Sequence, residues 1–187
     1  MYDNATPLSD ERLGHAEDFD PVMPAPLRHT LSRFASGVVV ITVGGSEPHA
    51  MTANAFSSVS LDPPSVCCCV SHHAVMHATL EKAGRFGISI LSAQQREVAA
   101  HFADKRRPLG LRQFDAVKWQ PGELTGSPLL DGALAWLECE VLGTYAAGDH
   151  TIFLGSVLSS AVGPKRPGLL FFEGMYREVT SNPQAPR

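Results

Sequence analysis

The sequence predicts one mainly β domain, an antiparallel sheet with a few helices, closed into a barrel so that its edges are protected. Three observations predict it. Strand-like stretches outnumber helical ones by about two to one. The turns between them are short and carry Gly, Pro and Asp. Helices do not alternate with strands as they would around a parallel sheet. The chain has 187 residues, 44% of them hydrophobic and 18% charged, which suits a single domain with a real core. No internal repeat is present.

Residues 1–26 mix acidic side chains with Pro7, Pro21, Pro24 and Pro26 and show no sustained period, as expected of a flexible tail. The domain is expected over 27–179, with a second short tail at 180–187. Leu27, Leu31 and Phe34 fall at helical spacing behind Pro26, with Gly37 as a stop. Residues 38–43 form a β-branched run that ends at Gly44-Gly45, and residues 49–60 read as its strand partner, closed by Asp62-Pro63-Pro64. Strands are expected at 65–71 and 86–91, with a helix at 75–83 stopped by Gly84. Ser92 and Gln95 fit a capping box ahead of a helix carrying Val98, Ala99 and Phe102. A basic loop is expected at 104–113, and three further strands at 134–145, 151–162 and 169–179.

Composition removes several classes of function. A net charge of -4, with no basic run interleaved with aromatics, gives nucleic acid no footing. No apolar run approaches the ~20 residues needed to span a bilayer and no signal-peptide pattern opens the chain, so no membrane partner and a cytoplasmic location are expected. Cys67, Cys68, Cys69 and Cys139 form neither a CxxC pair nor a secreted disulfide framework; the first three read as small buried hydrophobes, and in a strand Cys67 and Cys69 would face one side and Cys68 the other. GxGxxG, GxxxxGK[ST] and GxSxG are all absent, which argues against a Rossmann fold, a P-loop and a hydrolase elbow.

Three places can carry chemistry. The stretch from Met51 to Ser60 sets short hydroxyl and amide side chains among small apolar ones. Read as one strand, it puts Thr52, Asn54, Ser58 and Ser60 on a shared face, a hydrogen-bonding wall or simply a solvated one. His73 and His77 stand at i, i+4 near His72 and Cys69, but no second half of a metal framework accompanies them, and no metal is expected. Gly148-Asp149-His150 reads as a turn between two strands, from which a histidine can project.

Together these residues resemble the flavin reductase family, the short NAD(P)H:flavin oxidoreductases that partner two-component monooxygenases. The resemblance covers 27–179. It runs through Arg33-Phe34 and Gly37-Val38, MTANAFSSVSLDPP from Met51, GRFGISIL from Gly84, Phe102-Ala103, SPLLDGALAWLEC from Ser127, GDH ending at His150, and LLFFEGMYR from Leu169. The MTAN, SVSLDPP and GDH motifs are specific in combination.

The resemblance implies a split β-barrel homodimer that binds FMN or FAD and oxidises NADH or NADPH, then passes reduced flavin to a separate monooxygenase. A flavoprotein of the same fold with tightly held flavin, or a non-catalytic flavin binder, are the alternatives. By the same resemblance Thr52, Ala53 and Asn54 contact the isoalloxazine and ribityl groups, and Ser57 and Ser58 lie along the ribityl phosphate. Cys69 and Val70 on the next strand and Arg177 near the end complete the cofactor-binding set, and His150, the one catalytic candidate, seats the nicotinamide. One departure stands out: relatives carry a flavin-holding Ser-x-Thr where this chain has Ala74 and Met76.

Overall fold

The computed structural model describes residues 24–179. The expected tails at 1–26 and 180–187 therefore lie outside it, except for Pro24, Ala25 and Pro26, which begin the first helix. In chain order the elements are α1 (Pro24–Leu31), β1 (Ser36–Gly37), β2 (Val39–Val43), β3 (His49–Ala53), β4 (Phe56–Leu61), β5 (Pro64–Ser71), α2 (Val75–Ala83) and β6 (Arg85–Ile90). They continue with α3 (Arg96–Ala103), β7 (Trp119–Pro121), β8 (Pro128–Leu130), β9 (Ala135–Ala147), β10 (His150–Val162), β11 (Leu169–Phe172) and β12 (Met175–Glu178).

Seven strands form one antiparallel ladder in the order β3-β2-β6-β9-β10-β5-β4. Its two end strands are consecutive in the chain, joined only by Asn54 and Ala55. Ala53 and Phe56 are three residues apart, a reach of about 11 Å at most, whereas a flat sheet of this width would separate its edge strands by about 29 Å. The sheet must coil until its edges meet. The barrel is not closed, contrary to the expectation from strand pattern but in keeping with the split barrel that the resemblance implies: β3 and β4 do not pair with each other. A second sheet, β1-β11-β12, and the β7-β8 pair flank the main one.

Two expected strands each divide in two. The run 49–60 is β3, which pairs with β2, then β4, which pairs with β5. The run 169–179 is a hairpin, β11 against β12, turning at Glu173-Gly174, both at positive φ (53° and 75°). Glu-Gly stands here where Asn-Gly or Asp-Gly is the usual signal for such a turn.

Every residue of β2 is buried, because both its faces are covered. Val39 and Ile41 point into the coil with Phe86, Ile88, Leu80 and Phe153. Val38 and Val40 pack on the other side with Leu91, Ala99, Phe102 and Leu130, under α3. Each such fully buried side chain contributes about 1.5–3 kcal/mol.

Helix α2 ends where expected: Gly84, at φ 66°, donates its N–H to the Leu80 carbonyl. The Ser92/Gln95 capping box is present, but it opens a single 3₁₀ turn that leads into α3. The expected loop at 104–113 contains a second 3₁₀ turn, Gly110–Phe114. From it the buried Gln113 accepts the Ala50 N–H at 2.9 Å and donates to the Pro48 carbonyl at 2.8 Å. One side chain thus occupies backbone groups that edge strand β3 would otherwise leave open.

Candidate functional site

From Val66 onward the side chains of β5 alternate. Val66, Cys68 and Val70 face the core, while Cys67, Cys69 and Ser71 are only partly buried on the outer face. The register carries this outer face across three strands. Ser57 of β4 lies opposite Cys67, and Cys67 opposite Leu154 of β10. One step along, Cys69 lies opposite Ile152, and one further step brings Ser71 opposite His150. The result is a smooth platform of thiol and aliphatic groups with serine at one border and histidine at another, about 7 Å of strand separating Cys69 from Ser71.

Against this platform sits a cavity of about 610 Å³, within the range of about 300–1,000 Å³ usual for small-molecule sites. Asn54, Ala55 and Ser57 form one wall at the break between β3 and β4, and Cys67 and Cys69 form the floor. Leu31, Phe34, Ser36 and Gly37 close the far side. That far wall is carried by β1, which the small sheet holds through Ser36 opposite Phe171 and Gly37 opposite Leu170. Arg33 pairs with Glu173 and the Glu173 N–H donates to the Ser32 carbonyl, fixing the end of α1 to the β11-β12 turn. None of Leu31, Ser36 or Gly37 was marked by the sequence as a site residue, since only the second sheet brings them here.

The expected wall of one strand face does not survive the break. The Thr52 hydroxyl donates to the Ala99 carbonyl at 2.7 Å and is committed to α3. Ala53 turns into the core, as does Val70, so either can meet a ligand only through backbone. Asn54 is exposed and donates to Ser36 Oγ at 3.2 Å, across the cavity mouth. Ser57 and Cys69 line the cavity; Ser58 is exposed next to a bulge at Val59, which also ends the two-residue period toward Ser60. Arg177 is exposed on β12 opposite Leu170, itself opposite Gly37, hence about two strand spacings from the cavity wall.

His150 begins β10 after a two-residue turn with Gly148 at φ 61°. Its Nδ1 lies 2.8 Å from Asp149 Oδ1. That hydrogen bond and the imidazole charge hold the Asp149 carboxyl below its ordinary range. A neutral His150 therefore carries its proton on Nδ1 and presents the Nε2 lone pair outward. Among the described residues no group of three or more His, Cys, Asp or Glu side chains is placed to hold a metal ion. No described helix is long and apolar enough to cross a membrane.

A hollow of about 640 Å³ lies at the other end of β9 and β10, lined in part by Trp136, Glu123, Asp131, Glu138 and Arg166. Burial pushes the Glu138 carboxyl up, but hydrogen bonds from Thr125, Leu124 and Ser159 outweigh it and hold the group ionised below its ordinary value. Three carboxylates against one guanidinium disfavour a phosphate-bearing ligand there, so size alone does not select this hollow.

The sequence of residues 31–180 matches the family of flavin reductase like domains. An NADH-dependent FAD reductase of Streptomyces globisporus is 51% identical over 162 residues, 87% of this chain and 89% of that one. An NADH-dependent flavin reductase of a Rhodococcus species is 41% identical, over 88% and 92% of the two chains. In structure, the flavin reductase component of a bacterial two-component tryptophan halogenase superposes with a TM-score of 0.81 at 47% identity, covering 84% of this chain and 99% of its own. The Streptomyces globisporus NADH:FAD oxidoreductase does so at 0.82 and 48%, covering 89% and 99%. With a match over most of its length, a split coiled sheet and a cavity at the MTAN strand break, this chain belongs to the flavin reductase family.

Proposed function

We propose that this chain takes a hydride from NADH to a flavin, FAD or FMN, and hands the reduced flavin to a separate monooxygenase. The observation that carries this reading is the cavity at the Asn54-Ala55 break, floored by Cys67 and Cys69 on the face of β5 that leads on to Ser71, opposite His150. When both are bound, nicotinamide and flavin supply the electronic change themselves, so the protein needs no nucleophile. Its residues bind and align. The floor of Cys67 and Cys69 suits a flat ring system, and Asn54 and Ser57 supply hydrogen bonds at its edge. His150, its tautomer fixed by Asp149, offers Nε2 as an acceptor for a carboxamide N–H of the nicotinamide. Arg177, two strand spacings from the cavity wall, is the proposed contact for a phosphate.

The active species is proposed to be a homodimer. The test is a stopped-flow mixture of protein, NADH and FAD or FMN, followed at the visible flavin band. Bleaching faster than in the absence of protein is expected, and protein purified colourless should need added flavin. Bleaching no faster than the uncatalysed reaction overturns the reading. Protein that keeps a stoichiometric flavin through purification and gel filtration points to the tightly held alternative.

A further inference from the structure

The turn that carries His150 is braced from beneath by side chains of α2 and the end of β5. Thr151, the next residue, is buried, and its backbone is paired on both sides, with Val70 and with Ala146. Two imidazoles converge on its hydroxyl: His77 Nε2 lies 2.8 Å from Thr151 Oγ1, and His72 Nε2 lies 3.1 Å from the same atom. The rings of His72 and His77 meet edge to face at 5.1 Å, and His77 meets Phe153 likewise at 5.4 Å. The His72 backbone N–H donates to the Asp149 carbonyl at 3.0 Å.

A hydroxyl has a single proton to give, so the two neutral rings cannot both accept from Thr151. The direction follows from the other end of His77, whose Nδ1 faces Glu81 Oε2 at 3.5 Å. At this distance the contact is electrostatic rather than a hydrogen bond, and the carboxylate favours the His77 proton on Nδ1, which makes Nε2 the acceptor. Thr151 then donates to His77 and accepts from His72 Nε2–H. The hydrogen-bond chain His72 to Thr151 to His77 then has one sense throughout, and its middle member, Thr151, is bonded directly to His150 in the backbone.

We infer that His77, acting through Thr151, is a positioning residue for the nicotinamide: it fixes the Asp149-His150 turn and so the aim of His150. The inference rests on the nicotinamide role proposed for His150. His77 does not itself touch the substrate. His77→Phe puts a somewhat larger ring without the acceptor against Phe153 and leaves the Thr151 hydroxyl with His72 alone; Thr151→Val removes the hydroxyl at nearly constant shape.

The test is the steady-state NADH dependence of flavin reduction, with flavin affinity measured separately by fluorescence quenching. His77→Phe and Thr151→Val should each raise the KM for NADH by about three- to tenfold, the worth of one neutral hydrogen bond, with flavin affinity within about twofold of the parent. Thr151→Ser, which restores the hydroxyl, should recover the parent KM. In a His150→Ala background, His77→Phe should add nothing, because the two act on one contact. If His150→Ala raises the KM but His77→Phe and Thr151→Val do not, the bracing role is overturned and the role of His150 stands. If His150→Ala leaves the KM unchanged, the role of His150 falls and the bracing role with it. Should His77→Phe fail to fold, the contrast of Thr151→Val with Thr151→Ser decides alone.

Discussion

Gly155 of β10 and Phe86 of β6 are fitted to each other inside the coiled sheet: a Cβ on Gly155 would stand 2.6 Å from the Phe86 ring. Phe86 is 1% exposed and cannot swing away. Gly155→Ala is therefore expected to destabilise the fold by about 1–3 kcal/mol through overpacking. Urea unfolding should show a lower midpoint at unchanged slope. A midpoint equal to the parent would mean the ring relaxes freely.

Asn54 carries an exposed polar group on the cavity wall, and its amide already reaches across to Ser36. Asn54→Ala should weaken flavin binding about threefold to tenfold, the loss of one neutral hydrogen bond. Fluorescence quenching by titrated protein measures it. Unchanged affinity would move the flavin off this wall.

His49 is 5% exposed, and burial, reinforced by the charge of Arg107, lowers its pKa to about 4. The unfolded chain takes up this proton near pH 6.5 and the folded one only near pH 4, so the folded state loses stability as pH falls through that window. Between pH 7 and pH 5 the loss assigned to His49 is about 1–2 kcal/mol. Urea unfolding at the two pH values should show it, and His49→Gln should flatten the difference. An equal pH dependence in the variant would clear His49 of the effect.

Leu61 (92% exposed), Val162 (90%) and Val59 (55%) leave large apolar surface on β4 and β10. In the homodimer proposed above, a twofold-related copy would cover apolar surface of this kind. Light scattering at micromolar concentration should give twice the 20.1 kDa of one chain. The mass of a single chain would count against the proposed homodimer.

The expected strands at 38–43, 65–71, 86–91 and 151–162 each have a Gly or Pro within two residues of one end, β7 and β8 were not expected, and α2 was bounded correctly because Gly84 supplies the left-handed stop. The break at Asn54-Ala55 carries no such residue, so 49–60 read as one strand and Thr52 was placed beside Asn54. In the fold Thr52 serves α3 instead. Alternation correctly predicted that Cys67 and Cys69 share a face apart from Cys68, but the bland reading of all three as buried holds only for Cys68. The far wall of the cavity was invisible for another reason. Ser36 and Gly37 gain their place by pairing with β11, more than 130 residues on in the chain, and nothing local in the sequence encodes such a partner.

The run of three cysteines means that strand β5 sorts its own thiols. Burial pushes Cys68 and Cys139 up to about 12 and raises Cys69 too, but Cys69 and Cys67 reach the cavity. A mild alkylating agent applied to the folded protein should thus add mass in steps that stop at two, and four should appear only in denaturant. The inward and outward register of a single strand becomes something a mass spectrometer can count. Saturating flavin should shield those two positions, so the same count doubles as an occupancy gauge that owes nothing to catalysis.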